Sequence, residues 1–371
     1  GKAVAQFPTQ VVRIEKGKRS ISRANIALPN PRLWGPPPQQ VPNLYVAITQ
    51  LLVDGKIVDE YETRFGMRNV EHHATKGMLV NGKQVRLQGV NQHHDLGALG
   101  AAFNRRAAER QLATLKELGC NAIRLAHNPP APALLALTDS MGFLVINEIF
   151  DCWEKGKTPL DYHLVFADWH EADIRAFIRR DRNHPSIIAW SFGNEVGEQY
   201  TGEQGAVLAQ RLQAIVREED PTRPSTASMN YAKPNMPFPA NMDIIGLNYQ
   251  GEGIRDAPAY AHLKGIRTAP LYEAFQKAFP GKMIFSSESA SALSTRGTYI
   301  FPVTKGISAP VSDTTGGDPV KQQVSAYELY TAPFGSSADK VFATQDKNPF
   351  VAGEFVWSGW DYIGEPTPYY T

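Results

Sequence analysis

From about residue 78, short apolar runs alternate along the chain with amphipathic segments of helical period. The runs number eight: Val85–Val90, Ala122–Leu125, Phe143–Ile149, Ile187–Phe192, Ser225–Met229, Ile244–Leu247, Met283–Phe285 and Phe350–Val356. Such alternation is typical of parallel strands joined by helices. Eight β/α repeats over roughly 290 residues predict an α/β fold, a (β/α)8 barrel with insertions. An open doubly wound sheet is the alternative, which is weakened because no G-x-G-x-x-G follows an early strand.

Three segments between these runs carry clear helix signals. Arg105–Leu118 places an apolar stripe on one face and is followed by Gly119, which predicts a helix that stops there. A polar residue followed three positions later by Glu or Gln is typical of a helix N-terminus. On this pattern the predicted caps are Asp168 with Glu171, and Thr201 with Gln204.

The first 69 residues follow a β pattern instead. Alternating runs occur at Val11–Ile14, Leu44–Ile48 and Leu51–Val53, and Asp54-Gly55 between two apolar runs predicts a hairpin. Five or so strands are few for a complete two-sheet domain, so we expect a partial β-sandwich over residues 1–69 and the barrel over 70–371. The last apolar run leaves little room for an eighth helix, and both ends of the chain therefore look cut.

Composition and charge exclude several classes of function. The 371 residues are 42% hydrophobic, with 38 Lys and Arg against 37 Asp and Glu. This balance predicts no nucleic-acid partner and no anionic membrane partner, and no apolar stretch approaches the ~18 residues that span a bilayer. Cys120 and Cys152 are too few for a disulfide framework, and we interpret them as buried free thiols. No metal or cofactor motif is present, so we predict neither, and we interpret His93 and His94 as a loop pair near a pocket.

Polar residues follow the predicted strands at the end where barrel enzymes place their catalytic groups. The fourth run leads into Asn194-Glu195 and the seventh into Glu288. Further polar and aromatic residues at strand ends are Arg124, His127, Asn128, Glu148, Asp151, Tyr249 and Trp357. Two carboxylates among amides and aromatic rings are typical of glycoside hydrolysis, in which one protonates the leaving oxygen and the other attacks the anomeric carbon or activates water. A surface ion pair is the alternative for either Glu.

The neighbours of the two carboxylates suggest further roles. Asn194, beside Glu195, is suited to donate a hydrogen bond to a sugar hydroxyl. Two interpretations of Tyr249 stay open: a hydrogen bond that keeps the nucleophilic carboxylate ionised, or a buried wall residue. Trp357, after the last strand, is predicted to be a wall of the pocket.

Four stretches of this sequence resemble glycoside hydrolase family 2. Asp181–Glu195, which contains Arg-Asn-His-Pro and ends in Asn-Glu, resembles the family's acid/base signature. Asn121–Glu148 resembles an upstream signature, and Asn81–His93 is similar to the first barrel strand. Ile26–Gly66 resembles the end of the family's immunoglobulin-like domain. The resemblance covers essentially the whole chain.

The resemblance implies a retaining mechanism through a covalent glycosyl-enzyme. Glu195 would be the acid/base and Glu288 the nucleophile, with carboxyl groups about 5–5.5 Å apart. Glu195 then needs a raised pKa, which the ionised Glu288 would partly supply. The residues expected to bind substrate are Asn194, His127, Arg124, Tyr249, Trp357, Glu148, Asp151, His93 and Asn128.

The sequence also departs from the family pattern. No counterpart of the family's jelly-roll domain is present, and Ser289–Gly297 looks like the β-galactosidase branch rather than the glucuronidases. The region where glucuronidases keep a carboxylate-binding Asn and Lys would lie beyond residue 371. We therefore expect a retaining exo-β-galactosidase acting on a β-linked oligosaccharide or glycoside. The alternatives are a β-glucuronidase, a β-mannosidase or a non-catalytic carbohydrate-binding fragment. Two questions stay open: whether the protein forms a homo-oligomer, and whether it lies in the bacterial cytoplasm, in the periplasm or outside the cell.

Overall fold

The computed structural model describes residues 1–250, 270–292, 297–298, 309–310, 317–318, 323–324, 330–331, 335–336 and 338–360. Strands β1 (Tyr45–Val53) and β2 (Lys56–Phe65) form an antiparallel hairpin. Strands β3 (Val70–His73), β4 (Gly77–Val80) and β5 (Lys83–Val85) form a three-stranded antiparallel sheet.

Eight parallel strands close into a barrel, which confirms the predicted fold class. Seven of them are β6 (Leu87–Gln92), β7 (Ala122–Leu125), β8 (Leu144–Glu148), β9 (Ile187–Asn194), β10 (Ser225–Met229), β11 (Ile245–Asn248) and β12 (Ile284–Ala290). The eighth, Val351–Trp357, comes later in the chain, after four short strands. The short strands β13 (Ala309–Pro310), β14 (Gly317–Asp318), β15 (Gln323–Val324) and β16 (Tyr330–Thr331) pair as β13 with β16 and β14 with β15. The last barrel strand, β17 (Val351–Trp357), lies between β12 and β6 and closes the ring.

The helices are α1 (Arg105–Glu117), α2 (Pro132–Met141), α3 (His163–Asp181), α4 (Glu203–Glu219), α5 (Tyr272–Ala278) and α6 (Ala338–Lys347). Short 3-10 helices cover Gly97–Leu99, Gly197–Tyr200 and Phe238–Asn241. The connection from β10 to β11 contains only the last of these, where a regular β/α repeat would have an α-helix. None of the helices in the described part of the chain is long and apolar enough to cross a bilayer.

Aromatic side chains fill the inside of the barrel. The rings of Phe285 and Phe355 lie edge to face with centroids 6.0 Å apart. Gly89 and Gly246 let these rings approach the neighbouring strands, since a Cβ on either glycine would lie within 2.9 Å of a Phe ring. This packing closes the barrel below its mouth, so access to the interior is from the carboxyl ends of the strands.

The structure corrects four of the local predictions. Val11–Ile14 is not a strand, and the Val11 side chain is almost fully exposed; alternation alone does not make a strand where no partner pairs with it. Helix α3 begins at His163, so Asp168 lies inside the helix and is not its cap. The predicted cap Thr201 instead donates its hydroxyl to the Glu198 carbonyl, and Gly202 precedes α4. Cys120 is only partly buried, whereas Cys152 is buried as predicted.

At the amino-terminal end of the barrel strands, charged side chains bind backbone groups of the β9 entrance. Arg223 donates to the carbonyls of Ile187 at 2.8 Å and of His184 at 3.0 Å. His184 pairs with Asp139 at 2.6 Å, and the indole of Trp34 donates to the Asp139 carbonyl at 2.8 Å. We call these five residues the basal network; through Trp34 it joins the N-terminal segment to the barrel.

Candidate active site

Arg124, at the end of β7, is the centre of a buried polar cluster at the barrel mouth. Its guanidinium is fully buried and donates to both carboxylate oxygens of Glu148, at 2.7 and 3.0 Å. It also donates to Glu288 Oε1 at 2.9 Å, Asn91 Oδ1 at 2.8 Å and Asn194 Oδ1 at 2.9 Å. The Arg124 cation therefore holds groups from four other strands, and two of these groups are carboxylates.

Glu148 ends β8 and is an acceptor on all sides. In addition to Arg124, it accepts from the Ser191 hydroxyl at 2.6 Å and from His127 Nδ1 at 2.7 Å. Burial opposes its ionisation, but Arg124 and His127 outweigh burial and lower the pKa of Glu148. The side chain is fully buried, so Glu148 orients its neighbours without reaching the opening.

Three aromatic side chains form one wall of the mouth. His127 and Trp357 stack with centroids 5.2 Å apart and planes 6° from parallel. His93 lies edge-on to both rings, 5.6 Å from His127 and 4.8 Å from Trp357. Trp357 is partly exposed. Its role as a wall that contacts a ligand stays a prediction.

Asn194 links the Arg124 cluster to Asp151. Its amide nitrogen donates to Asp151 Oδ1 at 3.0 Å and lies 3.3 Å from His127 Nε2. Asp151 also pairs with Lys157 at 2.6 Å. Burial opposes the ionisation of Asp151, but His127 and Lys157 prevail and lower its pKa. The predicted hydrogen bond from Asn194 to a sugar hydroxyl stays a prediction.

Glu195 lies immediately after β9 with a φ of 45°, a left-handed conformation that is uncommon for a non-glycine residue. Its backbone N–H donates to the Ser228 carbonyl at 2.8 Å, and its side chain accepts from Asn248 Nδ2 at 2.8 Å. Burial and the nearby Glu288 carboxylate raise the pKa of Glu195 to about 7, although Asn248 acts in the other direction. Glu195 is therefore the site carboxyl that holds a proton near neutral pH.

Glu288, on β12, differs from Glu195 in that it is bound by a cation. Its Oε1 accepts from Arg124 at 2.9 Å and lies 3.7 Å from His127 Nε2. The side chain is almost completely buried. The backbone N–H of Tyr249 donates to the Glu288 carbonyl at 2.9 Å, and Tyr249 itself has a φ of 48°. A role for the Tyr249 hydroxyl, and the 5–5.5 Å spacing of Glu195 and Glu288, stay predictions.

The structure brings together nearly all of the predicted residues. Asn128 is the exception, since it is exposed and no hydrogen bond within the described residues joins it to the cluster. Asn91 and Asn248 are the residues that the sequence analysis left out of the site. Asn91 donates to the carbonyls of Ser287 and Phe355, both at 3.0 Å. The signal that could have found Asn91 and Asn248 is an Asn at the end of an apolar run.

Sequence comparison assigns the chain to a family. Residues 1–68 match the model described as glycosyl hydrolases family 2, and residues 72–245 match the TIM barrel domain of the same family. The chain belongs to glycoside hydrolase family 2. The resemblance seen in the sequence is thereby confirmed.

The curated relatives within the family differ in the sugar that their names specify. β-Galactosidase BoGH2A of Bacteroides ovatus is 38% identical over 96% of this chain and 43% of its own length. A putative β-glucuronidase of Formosa agariphila is 33% identical over 90% of this chain and 31% of its own length. The chain thus spans less than half the length of either relative.

Solved structures agree on the fold. A β-glycosidase from Bacteroides vulgatus superposes with a TM-score of 0.70 at 33% identity, covering 88% of this chain and 41% of its own. A family 2 member from Bacteroides cellulosilyticus gives 0.68 at 31% identity, covering 91% and 36%.

Proposed function

We propose that this chain carries the catalytic barrel of a retaining exo-β-glycosidase that removes terminal β-galactosyl residues from β-linked oligosaccharides or glycosides. The observation that carries the proposal is the contrast between two carboxyl groups at one mouth. Glu195 has a pKa raised to about 7, whereas Glu288 is ion-paired with Arg124. Retaining glycosidases need such a pair, one carboxyl protonated and the other ionised.

In the first step, a Glu288 oxygen attacks the anomeric carbon while the bond to the leaving oxygen breaks. The Glu195 proton passes to that oxygen, and the leaving group departs as an alcohol. The Glu288 charge is consumed in the glycosyl ester, so the electrostatic cause of the raised Glu195 pKa disappears. Glu195 then takes a proton from water, which attacks the anomeric carbon and releases Glu288.

The other residues of the cluster position these two. Arg124 fixes the Glu288 carboxylate, and Glu148 fixes both Arg124 and His127. His127 and Trp357 offer ring surface and a nitrogen to the sugar. The residues proposed to bind substrate directly are His93, His127, Asn194 and Trp357.

The charges of the described residues at the mouth suit an uncharged sugar better than an acidic one. Among the described residues of this region, the cations Arg124 and Lys157 are each already paired with carboxylates. A glucuronate would bring a further negative charge toward Glu148, Asp151 and Glu288, which is electrostatically unfavourable. This agrees with a galactoside, the sugar in the name of the 38% identical relative.

A panel of 4-nitrophenyl β-galactoside, β-glucuronide and β-mannoside tests the proposal, with the protein shown to be folded by circular dichroism. We expect the highest kcat/KM on the galactoside and covalent labelling of Glu288 by a 2-fluoro β-galactoside, located by peptide mass spectrometry. A preference for the glucuronide or mannoside would overturn the choice of sugar. Labelling of a peptide without Glu288 would overturn the nucleophile, and no hydrolysis of any substrate would favour a non-catalytic binding fragment.

A further inference from the structure

Two exposed tyrosines stack on each other at the carboxyl end of the barrel, outside the catalytic cluster. Tyr200 ends the 3-10 helix after β9, and Tyr231 follows β10. Their ring centroids are 4.1 Å apart, with planes inclined at 32°. The side chains remain 58% and 42% exposed. The rings cover part of each other, and their outer surfaces remain accessible to a ligand.

The local structure holds this surface in place. Gln199 is buried between the two loops, and its Oε1 accepts the backbone N–H groups of Tyr231 at 3.3 Å and Ala232 at 3.2 Å. Its Nε2 donates to Asn230 Oδ1 at 3.1 Å. The Gln199 amide thus ties the Tyr200 loop to the Tyr231 loop, so the ring pair is set before any ligand arrives.

The pair lies on the Glu195 side of the mouth. Tyr200 follows Glu195 by five residues, and Tyr231 follows the strand whose Ser228 carbonyl accepts the Glu195 backbone N–H. Burial and the Glu195 carboxylate both raise the pKa of the Tyr200 phenol, in keeping with this proximity. His127 Nε2, in the wall formed with Trp357, lies 3.7 Å from Glu288 Oε1.

This placement matters because a general acid must lie within hydrogen-bond reach of the oxygen that it protonates. That oxygen belongs to the leaving group, so the leaving group extends away from the anomeric carbon on the Glu195 side. Aromatic faces bind the apolar faces of pyranose rings and stack on aromatic rings.

We propose that Tyr200 and Tyr231 form a platform for the leaving group, which selects β-glycosides whose aglycone carries a ring, either a second pyranose or an aromatic group. The proposal rests on the proposed function, because Glu195 as the acid defines the leaving-group side. It adds a specificity determinant that the catalytic cluster does not contain.

The test compares benzyl and propyl β-galactosides, whose leaving alcohols have similar acidity but differ in the ring. The measured quantity is the ratio of the two kcat/KM values, because kcat/KM reports the step in which the aglycone leaves. Tyr200→Ala and Tyr231→Ala should each lower this ratio roughly 2- to 10-fold, as expected for the loss of one aromatic contact. Tyr200→Phe, which keeps the ring, should preserve the ratio.

Tyr61→Ala is the matched control, since Tyr61 is 71% exposed on β2 and should leave the ratio unchanged. Equal losses on benzyl and propyl substrates in the Tyr200 and Tyr231 variants would overturn the platform and indicate a structural role. Failure of the unmodified protein on both substrates and on the nitrophenyl panel would instead overturn the proposed function, so the two failures are distinguishable.

Discussion

The two ends of the barrel use buried charge in opposite ways. At the base, Arg223 directs its guanidinium at backbone carbonyls and pairs with Asp220 at 2.6 Å, so charge and hydrogen bonds are locally satisfied. At the mouth, Arg124 is shared between Glu148 and Glu288, and burial together with the Glu288 carboxylate raises the pKa of Glu195. The contacts of Arg223 at the base therefore stabilise the fold, whereas the groups at the mouth keep the pKa of Glu195 raised.

One stretch of sequence serves both ends. The Arg-Asn-His-Pro part of the acid/base signature lies at the base, where the Arg182 and His184 carbonyls accept from Arg223. Strand β9 then runs through the barrel and delivers Asn194 and Glu195 to the mouth. The signature thus contains residues that hold the base of β9 and residues proposed to act in catalysis. Mutations should be able to change stability and turnover separately.

Glu288→Gln should have the largest effect on turnover. Without the nucleophilic oxygen, no glycosyl ester forms, and we expect kcat/KM to fall by roughly four orders of magnitude or more. Thermal stability should not fall with it, since an amide still accepts from Arg124 and one of two competing carboxylates is removed. Glu117→Gln makes the same chemical change at an exposed position on α1 and serves as the control. A residual activity within tenfold of the unmodified protein would contradict the assignment of Glu288.

Glu195→Ala should have the next largest effect, and it should depend on the leaving group. Removal of a general acid costs about 10²- to 10⁴-fold on poor leaving groups, whereas 2,4-dinitrophenyl β-galactoside needs little protonation and should still form the covalent intermediate rapidly. Azide should then restore turnover and give a β-galactosyl azide, which NMR can identify. Equal losses on both kinds of leaving group, without rescue by azide, would contradict a role as acid/base.

A smaller effect concerns the pH profile. Because the acid must be protonated, and the pKa of Glu195 is raised to about 7, kcat/KM should fall by about tenfold per pH unit on the alkaline side. The Asn248 hydrogen bond favours the ionised form, so Asn248→Ala should raise the Glu195 pKa and move the alkaline limb to higher pH. The pH dependence of kcat/KM on 4-nitrophenyl β-galactoside measures the shift. A limb that moves to lower pH would contradict the proposed electrostatics.

The barrel and its principal carboxylates were predictable because their signals are local. A strand buried on both faces is a short apolar run, and a polar residue at its end is visible without knowledge of the fold. Runs such as Ala122–Leu125 and Ser225–Met229 therefore coincide with the strands of the structure. The pairing of Glu195 with Glu288 followed from the family resemblance and from the equivalence of strand ends.

Other features depend on contacts between distant residues and could not be predicted. Asn91 and Asn248 stand at strand ends that the sequence shows, but their hydrogen-bond partners depend on strands far apart in sequence meeting around Arg124. The cap predicted at Asp168 failed because an Asp followed by Glu three residues later also occurs inside an exposed helix face, and tertiary packing sets the start of α3 at His163. The structural role of the Arg-Asn-His-Pro stretch likewise depends on Arg223, which lies outside the motif.

Arg223→Met should have the smallest effect on turnover and the clearest effect on stability. The change removes charge-assisted hydrogen bonds to backbone carbonyls and leaves Asp220 without its cation, and we expect a loss of about 2–4 kcal/mol in the free energy of unfolding. Because the basal network lies at the opposite end of β9 from Glu195, kcat/KM per folded molecule should stay within twofold. Arg106→Met, at a largely exposed side chain, should change stability by less than about 0.5 kcal/mol. Urea titrations and active-site-titrated kinetics measure the two quantities independently. A large fall in kcat/KM at unchanged stability would mean that the base acts on the chemistry, and the separation between the two ends of the barrel would then fail.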